Sequence, residues 1–294
     1  MIDKNILIAA LARDCEDSLR TNIPLIEELR SQCSWSQVVV VENDSKDGTK
    51  DLLNDWKINS NGVTIISNDF GTKTIPDKSD LIINPQTTYH RIDKMVSYRN
   101  LYLDHINQVE HPIDLVIIID IDVIEISLTG LINTINSFED KTGAVFSNGI
   151  SVMDTPVGLS EIYYDTFAVW EYPLSHEFSY SAGSLARTFK SINKNVKKSS
   201  LYGVISAFGG VGVYNYQAIK NLRYKMLLNP LNKLEAICEH IPFNQEIIKQ
   251  GFNNYIARDF KVIYGKHNFT LLLKLVLPLK IFNFFYSIIL KIKK

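Results

Sequence analysis

Leu115-Val116-Ile117-Ile118-Ile119-Asp120-Ile121-Asp122 sets five aliphatic residues in a row and then two acids one residue apart. An apolar run without polar alternation reads as a strand buried on both faces of a parallel sheet. In extended backbone, residues two apart project to the same side, so Asp120 and Asp122 can converge where this strand ends. Two carboxylates so placed suit a hard cation, Mg²⁺ or Mn²⁺, which keeps waters and takes further ligands from substrate phosphates. The plainer reading is a pair of acids that ends the strand or caps the following helix.

Upstream, Asn5 to Leu11 is a short apolar run ending at Ala12-Arg13-Asp14, and Val38 to Val41 is a β-branched run ending at Glu42-Asn43-Asp44. Both read as buried strands whose carboxyl ends turn polar. Between them Leu19, Ile23, Ile26 and Leu29 recur at helical spacing, with Pro24 expected to confine or bend the first turn. Thr49 to Lys57 predicts a helix behind an Asp47-Gly48 turn, and Val63 to Ser67 a third strand. After a polar loop from Asn68 to Tyr89, Ile92 to Ile106 is helical. Downstream, Leu128, Leu131, Ile132 and Ile135 mark a further helix and Ala144 to Ser147 a strand. Alternating strands and helices imply an α/β fold, Rossmann-like, with a mainly parallel central sheet and its ligand at the carboxyl ends of the strands. From Gly149 to Pro242 this rhythm gives way to loops and short strands rich in aromatics, glycine and serine.

The chain has 294 residues, of which 46% are hydrophobic and 21% charged, enough for a full core. A net charge of -1 and a pI near 6.6 give no global basic field, and no local basic patch replaces one, so no nucleic-acid partner is expected. Cys15, Cys33 and Cys238 are too few and too scattered for a disulfide framework, which points to a reducing compartment. Met1-Ile2-Asp3-Lys4-Asn5 lacks the basic flank and long apolar core of a signal peptide, so secretion is not expected.

Glu42 to Thr49, at a strand end, offers acidic and amide groups for a nucleoside's ribose or base; the same residues could instead form a turn and a helix cap. Arg91 and Lys94, three apart on one helix, can approach a diphosphate together, whereas Arg99 could instead pair with an Asp to hold the site; solvated surface charge is the plainer reading of each. Ser206-Ala207-Phe208-Gly209-Gly210-Val211-Gly212 would let a ligand come close to the backbone, since glycine has no Cβ. Glu239, before a helix from Pro242 to Gln250, could be a general base for an acceptor hydroxyl, orient that acceptor, or simply complement the helix dipole. The tail from Phe269 is apolar but holds Lys274, Pro278 and Lys280 and ends in lysines, which suits a helix lying in an anionic membrane interface; core packing or a homodimer contact is the alternative.

Taken together, Ile6 to Ala10, Val39 to Thr49, Arg91 to Asn100 and Asp114 to Val123 resemble the GT-A glycosyltransferases, and more specifically the fungal capsule-associated α-1,3-mannosyltransferase family and its bacterial relatives. The resemblance covers about the first 170 residues, with Tyr163-Tyr164-Asp165 at its end. It implies Ala10 and Arg13 near the base, Glu42 and Asp44 near the nucleoside, and Arg99 near the donor phosphates. It also implies Asp120 and Asp122 as the family's Asp-x-Asp, Asp122 touching Mn²⁺ most directly, with His267 as a late metal ligand. The resulting expectation is a hexosyltransferase, using Mn²⁺ or Mg²⁺ and a nucleoside-diphosphate sugar such as GDP-mannose. Its acceptor would be a glycan or lipid-linked hydroxyl at the cytoplasmic face of a membrane, with Asp120, Asp122, Lys94, Arg99 and Glu239 as the working residues. Residues 1–148 would form the donor-binding half, 149–268 the acceptor-shaping half, and 269–294 a membrane-associating tail. A sugar-phosphate nucleotidyltransferase and a non-catalytic subunit of a glycan-assembly complex are the rival readings; Leu11-Ala12-Arg13-Asp14-Cys15 is not the Gly-rich basic loop that the first of these would show.

Overall fold

The computed structural model describes residues 2–71, 85–155, 158–174, 178–179 and 181–268; the expected membrane-associating tail lies outside them. The first half alternates β1 (Ile2–Ala12), α1 (Glu16–Ser31), β2 (Cys33–Asn43), α2 (Thr49–Asn59), β3 (Val63–Asn68), α3 (Tyr89–Gln108) and β4 (Leu115–Asp120). β5 (Glu125–Ile126), α4 (Leu128–Asn136), β6 (Thr142–Thr155), β7 (Gly158–Tyr163), α5 (Ala182–Asn195) and β8 (Leu201–Val204) follow. β9 (Val211–Asn215), α6 (Tyr216–Ile219), a hairpin of β10 (Leu227–Asn229) and β11 (Asn232–Ile237), α7 (His240–Lys249) and β12 (Asn253–Asn268) complete it.

The apolar runs are continuous because both faces of the sheet are covered. Ile6, Ile8 and Ala10 of β1 and Ile117 and Ile119 of β4 pack with Leu19, Ile26, Trp56 and Leu131 from α1, α2 and α4. The alternate residues Leu7, Ala9, Val116 and Ile118 pack on the other face with Tyr98, Tyr102 and Ile106 of α3 and Ile241 and Ile247 of α7. Each strand thus feeds two cores through its period of two. Pro24 does not end α1, which runs through it. The proline lies on the exposed side, where water can take the carbonyl it leaves unbonded.

The ten-stranded sheet has the order β3-β2-β1-β4-β9-β6-β12-β5, with β7 on β6 and β8 on β12. β3, β2, β1 and β4 are mutually parallel, as are β6 and β12. β9 lies antiparallel between β4 and β6, so the sheet is mixed and largely parallel. α5 departs from the sequence reading, which gave this region no helix. Its serines and lysines mask an apolar face of Leu185, Phe189 and Ile192, and Ser181 and Ser184 close a reciprocal capping box at its start.

The glycine-rich stretch before β9 serves the sheet and not a ligand. Gly209 has φ +67° and Gly210 φ +96°. A Cβ on Gly209 would lie 2.4 Å from the Ser147 carbonyl oxygen of β6. The Ser147 hydroxyl donates to the Gly209 carbonyl at 2.7 Å, and the Gly210 carbonyl accepts from the Asp120 amide at 2.8 Å. This turn therefore locks the end of β4. Gly209→Ala is expected to destabilise the fold by at least about 1–3 kcal/mol through left-handed strain alone, with the clash added; an unchanged urea midpoint would contradict this account.

Candidate active site

β4 delivers Asp120 to the edge of the core, and the chain then turns through Ile121, Asp122 and Val123. Ile121 and Val123 are buried while Asp122 reaches solvent, so the apolar pair anchors the turn and turns the acid outward. The turn is also held from α1. Asn22, fully buried, donates through Nδ2 to the Ile121 and Val123 carbonyls at 2.9 and 2.8 Å, and one helical turn earlier the Ser18 hydroxyl donates to the Asp122 carbonyl at 3.2 Å. The sequence reading missed this clamp. Its signal was an asparagine on the apolar face of α1, among Leu19, Ile26 and Leu29.

Arg99 lies behind the acids. It is 3% exposed, and its Nε donates to Glu239 Oε1 at 2.9 Å, its Nη1 to the Tyr102 hydroxyl at 3.3 Å and its Nη2 to Asp120 Oδ1 at 3.5 Å. The guanidinium carbon stands 5.3 Å from the Phe208 ring centre and 5.7 Å from that of Tyr224, a cation between two aromatic faces. Of the two uses open to Arg99 in the sequence, pairing with an Asp is the one its contacts fill. Desolvation opposes its charge, but the neighbouring phenols and carboxylates hold its pKa well above the usual value.

Asp165 completes the cluster, a residue to which the sequence reading gave no role. Its Oδ2 accepts from the Gly209 amide at 3.2 Å. Burial raises its carboxyl above the usual range, with Glu239 adding to the effect. Asp120 is pushed up to about 7, by burial first and by Asp122, Asp165 and Glu239 in turn, with Arg99 opposing. Asp122 is raised as well, by poor hydration, and Arg91 and Arg99 oppose this. Four carboxylates therefore share one buried guanidinium, and every one of them is a hard oxygen donor. Such a set fits a divalent cation, which would relieve the repulsion between Asp120 and Asp122. Among the described residues no three such side chains form a ready-made metal cluster. His267 lies on β12 beside Met153 of β6, and its side chain is outside the described residues.

The remaining predicted residues lie at the carboxyl ends of β1 and β2. Leu11 pairs with Asp120 and Ala12 with Glu42, so Glu42 and Asp120 stand about two strand spacings, or ~10 Å, apart across β1. The Ala10 methyl is fully buried in the core. Arg13 Nε is 3.6 Å from Asp14. Glu42 is fully buried and shapes the loops, accepting from the Ser45 amide at 2.9 Å and from the Ser67 hydroxyl. Asp44, at φ +53°, accepts from the Gly71 amide at 2.7 Å. Asp47 accepts from the Thr49 amide at 3.0 Å, so the turn reading of this stretch is also filled. Lys94 is half-buried and has no partner among the described residues. It precedes Tyr98 by one turn of α3, and Tyr98 packs against Phe70 at 5.4 Å. Lys94 and Arg91 thus share the helix face that meets the loop after β3. Glu239 sits at the head of α7, 4% exposed, with its carboxylate engaged by Arg99.

Residues 5–242 match a family model described as CAP59_mtransfer, Cryptococcal mannosyltransferase 1. Among solved structures, the chain is similar to a mannosyltransferase, PcManGT, from Pyrobaculum calidifontis in complex with GDP-Man and Mn²⁺. The identity is 11% and the TM-score 0.51, over 89% of this chain and 56% of that one. TarS from S. aureus follows at 11% identity and TM-score 0.47, over 89% of this chain and 60% of that one. GalNAc-T7 with UDP, GalNAc and Mn²⁺ gives 11% and 0.49, over 89% of this chain and 44% of that one. The chain thus spans a little over half the length of the first of these structures. No curated protein matches it.

Two stability measurements test the geometry. Asn22→Ala strips two buried carbonyls of their donor and is expected to lower unfolding free energy by about 1–3 kcal/mol in urea titration. Arg99→Leu leaves Glu239 buried without its cation and is expected to lose about 3–5 kcal/mol. Adding Glu239→Gln should recover part of that loss, and strict additivity of the two losses would argue against the ion pair.

Proposed function

The chain belongs to the Cryptococcal mannosyltransferase 1 family, and on that footing we propose that it is a metal-dependent GT-A glycosyltransferase. In this reading it moves a hexose, mannose in first place, from a nucleoside-diphosphate sugar to a hydroxyl of a surface glycan or lipid-linked acceptor. The observation that carries the proposal is the Asp120–Asp122 turn: two carboxylates at the carboxyl end of a central parallel strand, clamped by Asn22 and short of positive charge. Open α/β sheets bind ligands at that edge. The Mn²⁺ complex of the Pyrobaculum calidifontis mannosyltransferase, which shares the fold, supports the choice of metal and donor.

Asp120 and Asp122 would hold Mn²⁺ or Mg²⁺, which when bound supplies charge against a departing diphosphate. The loops after β1 and β2, shaped by Glu42 and Asp44, receive the nucleoside about 10 Å away across the sheet. Lys94, a cation on α3 without a partner among the described residues, and Arg91 on the same helix face are offered to the phosphates. Arg99 keeps Asp120 and Glu239 in place. Glu239, buried and ion-paired, is in this reading a positioning residue. Asp165 is the better group to take the acceptor hydroxyl's proton, because it is partly exposed, forms no ion pair within contact distance among the described residues and has a raised pKa. The apolar, lysine-bearing tail supports work at the cytoplasmic face of a membrane. No helix among the described residues is long and apolar enough to cross one.

A thermal-shift series with GDP, UDP, CDP and their sugar conjugates, with and without Mn²⁺, tests the reading. One nucleotide family should stabilise the protein only when the metal is present, by about 2.7 kcal/mol at a hundredfold excess over Kd. Folded protein that shows no shift with any of them sinks the transferase assignment in favour of a non-catalytic subunit. Asp122→Ala should cut metal-dependent donor turnover by on the order of 10²-fold or more, several kcal/mol of lost charge stabilisation, while melting as the parent does.

A further inference from the structure

A cavity of about 340 Å³ opens between the strap 166–171 and the first turns of α5. One wall is aromatic and apolar, with Phe167, Trp170 and Pro173. Polar residues line the cavity as well. Thr166, Ser179 and Thr188 are among them, and their hydroxyls bond to no described residue. Glu171 takes the Ser191 and Tyr202 hydroxyls on Oε1, at 2.8 and 2.6 Å, which leaves Oε2 without a donor among the described residues. The indole N–H of Trp170 likewise has no acceptor among the described residues.

The strap is held firmly from behind. The Trp170 amide donates to the Ser206 carbonyl at 2.9 Å, its carbonyl accepts from the Ile205 amide at 2.9 Å, and the Ser206 hydroxyl donates to the Ala168 carbonyl at 2.8 Å. The indole also packs edge-on against Phe178 at 5.0 Å. A ligand would therefore meet a firmly held aromatic strap together with hydroxyl and carboxylate groups that have no partner among the described residues. The strap continues directly from Asp165, whose Cα lies one step, about 3.8 Å, from that of the lining residue Thr166.

From these observations the geometry points to an acceptor subsite for a neutral sugar ring. A pyranose has an apolar C–H face that packs on aromatic rings, and hydroxyls at its edge that pair with Thr, Ser, Glu and indole groups. Among the described residues the lining contains a carboxylate and no lysine or arginine, so a phosphorylated sugar is disfavoured. The volume suits one or two rings. A sugar seated here points a hydroxyl toward Asp165, whose carboxylate receives the proton as the oxygen forms its bond to the donor's anomeric carbon and the diphosphate departs. Sugar binding stands on the cavity alone; its use as an acceptor subsite rests on the transferase reading above.

Saturation-transfer NMR on the full chain, with methyl α-mannopyranoside, methyl β-glucopyranoside and methyl β-galactopyranoside and their disaccharides as probes, tests it directly. At least one neutral probe should bind, a hexose 6-phosphate should not, and Trp170→Ala should weaken binding tenfold or more, with Trp170→Phe recovering most of it. Thr188→Trp, which fills the space, should abolish it. No binding of any probe, or undiminished binding in a Trp170→Ala protein that melts like the parent, overturns the assignment. In transfer assays the same variants should raise the acceptor KM and leave kcat far less affected. Parent protein that binds a sugar yet neither hydrolyses nor transfers any donor defeats the transferase reading and leaves the cavity a sugar site. An acceptor KM unmoved by both variants defeats the subsite and spares the transferase.

Discussion

A guanidinium withdrawn from water and set among four carboxylates governs the arrangement of this molecule. Arg99 alone is an expensive group to bury, and so are Glu239 and Asp120. Together each offsets the other's loss of hydration. The contact ties α3 and the end of the neighbouring β4 to the head of α7, more than a hundred residues further along the chain. Phe208 and Tyr224 complete the enclosure, and Tyr102 and Tyr224, whose hydroxyls are 3.3 Å apart, extend it as a chain of polar groups. The balance is incomplete, since one cation faces Asp120, Asp122, Asp165 and Glu239. The excess of negative charge suits this end of the sheet to a divalent ion and adds to the burial that raises the Asp120 and Asp165 carboxyls, while desolvation raises Asp122.

The same constraint explains why the sheet changes direction where it does. β9 runs antiparallel against β4. The Gly209-Gly210 turn that precedes it brings its own carbonyl to the Asp120 amide. A parallel strand here would enter from the opposite edge and could not place that turn, or the Asp165 that it holds, beside Asp120. Parallel strands build the edge that carries Glu42 and Asp120, and the antiparallel insertion brings the second half of the chain to meet it.

Much of this was legible in the chain itself. The first half obeys its hydrophobic pattern: five-residue aliphatic runs became two-faced strands, and Leu19, Ile26 and Leu29 became the inner face of α1. The Asp120-Asp122 pair was legible because its position after β4 is local. The contacts of Glu42, Arg99 and Glu239 were not, because each is defined by a partner on another element. Glu42 bonds to Ser67, 25 residues away, and Arg99 to Glu239, 140 away. α5 escaped notice because polar residues crowd its exposed side, and the glycines before β9 were misread because what approaches them is the chain's own β6.

What the sequence determined by itself, then, was periodicity and local chemistry: which segments are strands or helices, which ends are polar, and which acids stand two apart. These follow from the geometry of a few consecutive residues and need no knowledge of distant ones. The tertiary structure alone decided which charges are buried together, that an asparagine on α1 holds the acid turn, and that an aromatic strap and several hydroxyls line one cavity. Desolvation and hydrogen-bond satisfaction depend on what surrounds a group from all sides, and a linear sequence states only its neighbours along the chain.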